Sequence, residues 1–411
     1  MKWQIKSAIF GGVIWTLSLL LLAPFNSLAE AKIDRPIKVG IIDCYSGPPA
    51  VFSKDLLNGF KLALEEINTE GINGNKIEFT TRDTKFKVEI ALAMAKELIL
   101  RENVDIIMGT INSAAALAVS EFCKKERVPF IVGIAMSEKI TGEKGHRYVF
   151  RTHANTAQMG KAGAIGLSKK TYIKYWIAGD DYEYGHAIAN ATWNNLKKLK
   201  PEVKLLGQSW WKVGEPDFTP YITAILNAKP DAVIQATGAR DEIPFLKTAG
   251  SIGMHKRVAL YAYAATDFGT LSPLGSQAPE GVMGTAPYHF YYPKTPENIR
   301  FVKDFTERFN NYPGFGAMDG FCMARFIAEG FRKADTLDRE KFIDALEGLT
   351  VDTPVGKMKM RAYDHQAMGP AFFGVTTKSP DYPFFIARDI EIIPGEDIMP
   401  TIEEIKAARG E

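Results

Sequence analysis

An α/β fold made of two similar lobes with a cleft between them is what the sequence predicts, on three observations. Short apolar, β-branched runs alternate with segments of helical periodicity along most of the chain. The alternation runs twice in succession, over 37–151 and again over 172–286. Three strands of the first series end in turns rich in small and hydroxyl residues. In an open parallel sheet such turns gather at one edge, where ligands bind, and domain interfaces favour small-molecule pockets.

The opening unit sets the pattern. Lys38-Val39-Gly40-Ile41-Ile42 suits a buried parallel strand. Ser46-Gly47-Pro48-Pro49 is a turn. Ser53 stands where a helix N-cap is expected, and Leu57, Phe60, Leu64 and Ile67 recur at helical spacing behind it. Lys76–Thr81 reads as a strand and Val88, Leu92, Ala95 and Ile99 as a helix face. Val104–Met108 is a strand ended by Gly109, and the helix Ala114–Lys125 is capped by Asn112 or Ser113. Pro129–Ile134 runs into Ala135-Met136-Ser137, and Tyr148–Arg151 is a strand leaving the first sheet.

The second series has strands at Tyr172–Ala178, Val203–Trp210, Asp231–Thr237, Val258–Ala262 and Gly281–Ala286. Helices lie between them near Gly185–Leu199, Tyr221–Asn227 and Glu242–Ala249, and Ser272–Glu280 reads as loop. After Pro293 the pattern is helical through Phe301/Phe305/Phe309, Phe321/Arg325/Ala328 and Phe342/Leu346. Short strands follow from Gly356, then a polar helical tail from Ile402.

A length of 411 residues is more than one domain needs. Hydrophobic content of 46% and charged content of 24% are those of a globular protein, and a formal charge of +2 without a basic run points away from nucleic acid. Lys2 and Lys6 precede the apolar run Ile9–Ala23, and small residues follow at Ser27-Leu28-Ala29 or Ala29-Glu30-Ala31. That order is a secretory signal peptide over residues 1–29, too short in its apolar part for a comfortable membrane span, so the mature chain is expected as an exported, soluble protein. Cys44, Cys123 and Cys322 are an odd number for an exported chain. The apolar patterns around Cys123 and Cys322 predict buried thiols, with one disulfide left open.

Enzyme chemistry finds little footing. There is no Walker A loop, GxSxG elbow, HExxH or CxxC, and the six histidines show no metal-ligand spacing. Asp180, Asp181 and Glu183 could serve acid–base work, but acids at a helix start are explained by the helix dipole.

Several motifs in order carry a family resemblance. They are Ser46-Gly47-Pro48 with Phe52 and Gly59, Gly71-Ile72-Asn73-Gly74, Gly109 to Ser113, and Tyr148–Thr152. Asp180 to Tyr184-Gly185, Asp217-Phe218-Thr219 and Pro230-Asp231-Ala232-Val233 continue the series. Over nearly all of the mature chain the sequence resembles the type I periplasmic solute-binding proteins of ABC importers, in their branched-chain amino acid and amide branch. The resemblance implies two Rossmann-like lobes joined by a three-crossing hinge and closing on a ligand like a flytrap. On that pattern the first lobe takes 34–152 and 288–352, the second 153–287 and 353–395, with a tail over 396–411. It implies a monomeric binder with no cofactor, working with membrane permease subunits.

Carried over residue by residue, the resemblance puts Ser113 on the ligand carboxylate, at a helix start where a hydroxyl and free N–H groups face an anion. Asn112 stands beside it. Ala135-Met136-Ser137 matches the loop sharing that carboxylate, with Met136 in place of a small hydroxyl residue. Phe52 matches an aromatic wall near Ser46, and Tyr184 a tyrosine closing from the second lobe. Two departures bear on specificity. Ala239 stands where amino acid binders have tyrosine, followed by Arg240, and Tyr261 to Asp267 replaces the glutamate that holds an ammonium. Asp267 could substitute; otherwise Arg240 and the tyrosines, Tyr263 among them, suit an acid or ring without an amine. A branched-chain amino acid is the default ligand, an aromatic or aliphatic carboxylate or an amide the sharper one. A sensory receptor of the same fold is the rival class.

Overall fold

The computed structural model describes residues 33–411 apart from Pro48 and Ala239. The expected leader and Ala239 lie outside the described residues. Along the first part of the chain run β1 (Ile37–Asp43), α1 (Ala50–Glu70), β2 (Ile77–Asp83), α2 (Val88–Leu100), β3 (Ile106–Gly109), α3 (Ser113–Glu126), β4 (Phe130–Val132) and β5 (Val149–Arg151). The five strands form a parallel sheet in the order β2-β1-β3-β4-β5. Both faces are covered, as a parallel sheet requires. Val39 and Ile41 join the core with Leu56 and Phe60 of α1, while Ile42 packs with Ala95 and Leu98 of α2 on the other face.

From β5 the chain crosses to α4 (Thr156–Ser168), β6 (Lys174–Asp180), α5 (Glu183–Leu199), β7 (Lys204–Trp211), α6 (Thr219–Ala228), β8 (Ala232–Ala236), α7 (Glu242–Ile252), β9 (Ala259–Tyr263), α8 (Phe268–Leu274) and β10 (Met283–Ala286). It returns through α9 (Pro296–Phe309), α10 (Phe315–Ala334) and α11 (Arg339–Leu346), with α10 packed along α1. The remainder is β11 (Thr350–Thr353), β12 (Gly356–Met360), β13 (Ala367–Met368), β14 (Ala371–Thr377), β15 (Ile386–Ile393), α12 (Gly395–Ile398) and α13 (Ile402–Arg409). β11–β13 make a small antiparallel sheet, and β14 and β15 extend the second large sheet, ordered β15-β14-β10-β9-β8-β6-β7. The chain therefore passes three times between two α/β lobes.

Two local expectations need correcting. Ser53 does not cap α1, which already begins at Ala50; Ser53 is buried within the helix and its hydroxyl donates to Asp43 at 2.8 Å. Part of the expected loop 272–280 is helical. Asp267 caps α8 by accepting from the Gly269 N–H at 2.6 Å, and Pro273 falls in the last turn. Helix α4, over residues with no assignment from sequence, is one that apolar spacing does not announce. Its Gly160 backs onto Ala191 and Thr192 of α5, Gly163 onto the Tyr261 hydroxyl and Gly166 onto the Phe373 ring. Small residues on several sides let it pack closely but erase the periodic stripe. Among the described residues, no helix is long and apolar enough to cross a membrane.

Candidate ligand-binding cleft

The carboxyl ends of the strands in both lobes point at one cavity. Phe52, Phe86, Ile111, Ser113, Ile134, Met136 and Phe315 line it from one lobe. Tyr182, Tyr184, Thr237, Gly238, Glu242, Tyr263, Ala264 and Thr270 face them from the other. Parallel register brings these turns together: Ile42 of β1 lies beside Gly109 of β3, and Gly179 of β6 beside Ala236 of β8. About 50 Å³ is open to the centres of water molecules, several times the roughly 10–15 Å³ that one water needs. A larger groove of about 910 Å³ lies among α1, α9, α10 and β11; it shares no residue with the aromatic cavity, and its lining is dominated by charged side chains.

Ser113 is the first residue of α3 and buried, and its hydroxyl accepts from the Ser137 N–H at 3.2 Å. Asn112 is the cap proper: its side chain accepts from Ala115 N–H at 3.0 Å and donates to the Phe86 carbonyl at 3.0 Å. Behind both lies Asp43 at the end of β1, accepting from the N–H groups of Cys44 and Ile111 at 2.8 and 2.9 Å. It ties the first turn to the third, and burial pushes its carboxyl above the ordinary range.

The loop 135–137 hangs on Arg151, which is fully buried and which the sequence marks only as the end of a strand. Its guanidinium donates to the carbonyls of Ala135 and Ser137 at 3.2 and 2.8 Å, to the Thr141 hydroxyl at 2.7 Å and to Gln366 at 2.7 Å. Burial lowers its pKa to about 9. Met136 enters the lining, whereas Ala135 and Ser137 are buried behind it. The Ser137 hydroxyl donates instead across the cleft to Glu183 at 2.7 Å, where Lys139 also reaches Glu183 at 3.1 Å.

The wall is aromatic. Phe52 stacks on Phe315 with ring centroids 5.4 Å apart, and Phe315 also meets His153 at 5.3 Å. His153 lies 3.1 Å from the Tyr263 hydroxyl, and burial drives its pKa down to about 3, so the imidazole is neutral. Tyr182 and Tyr184 lie side by side at 6.0 Å. Among the described residues no lysine or arginine lines the cavity.

Of the residues singled out by sequence, the structure brings Phe52, Ser113, Met136, Tyr184 and Tyr263 together in the lining. The other singled-out residues that the structure describes do not line the cavity. Ser46 is exposed. Arg240 is exposed and its guanidinium lies against Gly214. Asp267 is buried at the junction of the lobes, where it accepts from the Phe315 N–H at 3.2 Å, and burial raises its pKa to about 7. The loop Tyr261 to Asp267 puts no acid into the lining, but an acid from another element stands there. Glu242 opens α7 and lines the cavity, with burial raising its pKa to about 8. Nothing in the sequence set it apart from an ordinary acid in the first turn of a helix.

Two α/β lobes meeting over an aromatic cavity are the architecture of a two-lobed binding protein. Residues 36–379 match the family described as periplasmic binding protein, and the chain belongs to that family. It is 25% identical over 349 residues to the Leu/Ile/Val-binding protein homolog 8 of Brucella suis, covering 81% of this chain and 84% of the relative. A crystal structure described as an ABC-type branched-chain amino acid transporter from Rhodopseudomonas palustris superposes with a TM-score of 0.73 at 28% identity, covering 89% of this chain and 99% of that one. A second solute-binding protein of an ABC transporter from the same species, in complex with 3,4-dihydroxybenzoic acid, has a TM-score of 0.79 at 22% identity. The match covers 87% of this chain and 98% of that one; at that identity it speaks for the fold alone.

Proposed function

We propose that this chain is the extracytoplasmic solute-binding component of an ABC importer, capturing a small ring-bearing carboxylic acid and delivering it to a membrane permease. The observation that carries the ligand class is the wall of six aromatic side chains, Phe52, Phe86, Tyr182, Tyr184, Tyr263 and Phe315, around a small cavity. Flat rings stack or meet edge-on with such a wall. The carboxylate goes to Ser113, where a hydroxyl and the positive end of α3 supply what a cation otherwise would. The binder works as a monomer in the periplasm, without catalysis. The lobes, 34–152 with 288–352 and 153–287 with 353–395, close on the ligand by hinge motion, and the closed form docks to the permease.

One observation favours a second reading, a branched-chain amino acid. Glu242 gives the cleft an acid that could pair with an ammonium, and the Brucella relative's name points the same way. Mass spectrometry of the ligand released on denaturing protein isolated from its own periplasm decides. An aromatic acid supports the proposal, and leucine, isoleucine or valine overturns it.

A further inference from the structure

Glu242 is odd among the cleft residues because its hydrogen bonding is half finished. The side chain is 3% exposed. Its Oε2 accepts from the Thr237 hydroxyl at 2.5 Å, with the Gln235 amide 3.4 Å away, and the same amide donates to Thr237 at 2.5 Å. Oε1 is buried without a partner, on a residue that lines the cavity. The Thr270 hydroxyl, also in the lining, is unpartnered too. Buried polar atoms are normally satisfied, so an orphan pair facing a cavity marks a place where a ligand group completes the set.

We propose that Glu242 is a specificity-determining residue that reads a hydroxyl group on the ring of the bound acid, at the end remote from its carboxylate. This rests on the proposed capture of a ring-bearing acid. The chain Gln235 to Thr237 to Oε2 spends that oxygen as an acceptor and leaves Oε1 for the ligand. A ring hydroxyl suits Oε1 in either protonation state, since it can donate to a carboxylate or accept from a carboxylic acid. An ammonium suits only the ionised form, and burial holds that form back, with Asp180 adding to the effect. Tyr184, Tyr261, Tyr263 and Asp180 are the titratable groups that interact with it, buried Asp241 precedes it in the chain, and none of these supplies a positive charge.

The test is calorimetric titration of the purified protein with benzoate, 3- and 4-hydroxybenzoate and L-leucine, repeated on Glu242→Leu and Glu242→Gln. The wild type is expected to prefer one hydroxybenzoate over benzoate by about tenfold or more, the equivalent of roughly one hydrogen bond. Glu242→Leu is expected to lose the preference, its affinities for benzoate and the hydroxybenzoate coming within about threefold of each other. Glu242→Gln, which keeps shape and hydrogen-bonding groups, retains most of it. A cooperative melting transition close to the wild type's shows that each variant is folded. Discrimination under about threefold in the wild type, or a preference that survives in Glu242→Leu, overturns the role of Glu242 and leaves ring-acid capture standing. If no aromatic acid binds the wild type, the capture reading itself falls. Leucine binding that releases a proton to the buffer and is lost in Glu242→Leu assigns the residue to an ammonium instead.

Discussion

Replacing Glu183 by alanine removes a junction between the lobes and should weaken ligand binding more than it weakens the fold. Glu183 starts α5 in one lobe; it accepts from the buried Ser137 hydroxyl at 2.7 Å and pairs with Lys139 at 3.1 Å from the other. A hydrogen bond to a charged group contributes about 1.5–3 kcal/mol. The Lys139 and Glu183 side chains are 43% and 25% exposed, so their ion pair adds only about 0.2–1 kcal/mol. With the hydrogen bond at the low end of its range, the loss is about 2 kcal/mol, or roughly a 30-fold rise in Kd. In an open form both partners return to water, so the loss falls on closure and shows mainly as faster release. Calorimetry and stopped-flow on the bound acid measure both quantities. Lys139→Ala should cost less than about fivefold. A Kd for Glu183→Ala within threefold of wild type would refute the view that these contacts hold the cleft shut.

Ser113→Ala should weaken carboxylate binding by about 10- to 100-fold, with a small drop in stability because the Ser137 N–H loses its acceptor; titration and a melting curve separate the two. Gly59→Ala should destabilise the protein by about 1–3 kcal/mol or more, since a Cβ there would meet the Ala317 carbonyl at 1.8 Å where α1 crosses α10; scanning calorimetry reads the fall. Stability should decline between pH 6.5 and 8. Burial raises Asp55 and Glu242 to about 8 and Asp267 and Asp319 to about 7. The folded state then holds protons the unfolded chain has released, and that stabilisation is lost as pH rises through the folded values. His153 and His289, lowered to about 3 by burial, act the opposite way, but only below the unfolded histidine pKa near 6.5. A thermal midpoint that rises across pH 6.5 to 8 would contradict this balance. The three cysteines are buried and unpaired, so thiol reagent should label none in the native protein and all three after unfolding.

Much of the sheet architecture was readable because apolar strand runs and their turns are local signals. β1, β3, β4, β8 and β9 all lie within or overlap the apolar segments, and the strand ends and the turns and helix starts after them hold Ser113, Met136 and Tyr263. What escaped reading depends on packing between distant segments. Phe315 looks like an ordinary helix residue until α10 returns to lay it on Phe52. Arg151 looks like the end of a strand, yet it holds the carbonyls of a loop 14 and 16 residues before it. Glu242 gains its character from burial beside Thr237, which no spacing rule anticipates. Arg240 and Asp267 show the converse: sequence drew attention to their charge, but one is spent on the surface and the other on a helix cap and a lobe junction.

The central claim is that the aromatic cleft holds a small ring-bearing acid between the lobes. A crystal structure of the protein grown with 4-hydroxybenzoate tests it most directly. The account predicts a ring against Phe52 and Tyr184, the carboxylate at Ser113 and the hydroxyl toward Glu242. An empty cleft, or a ligand seated elsewhere on the protein, would contradict it.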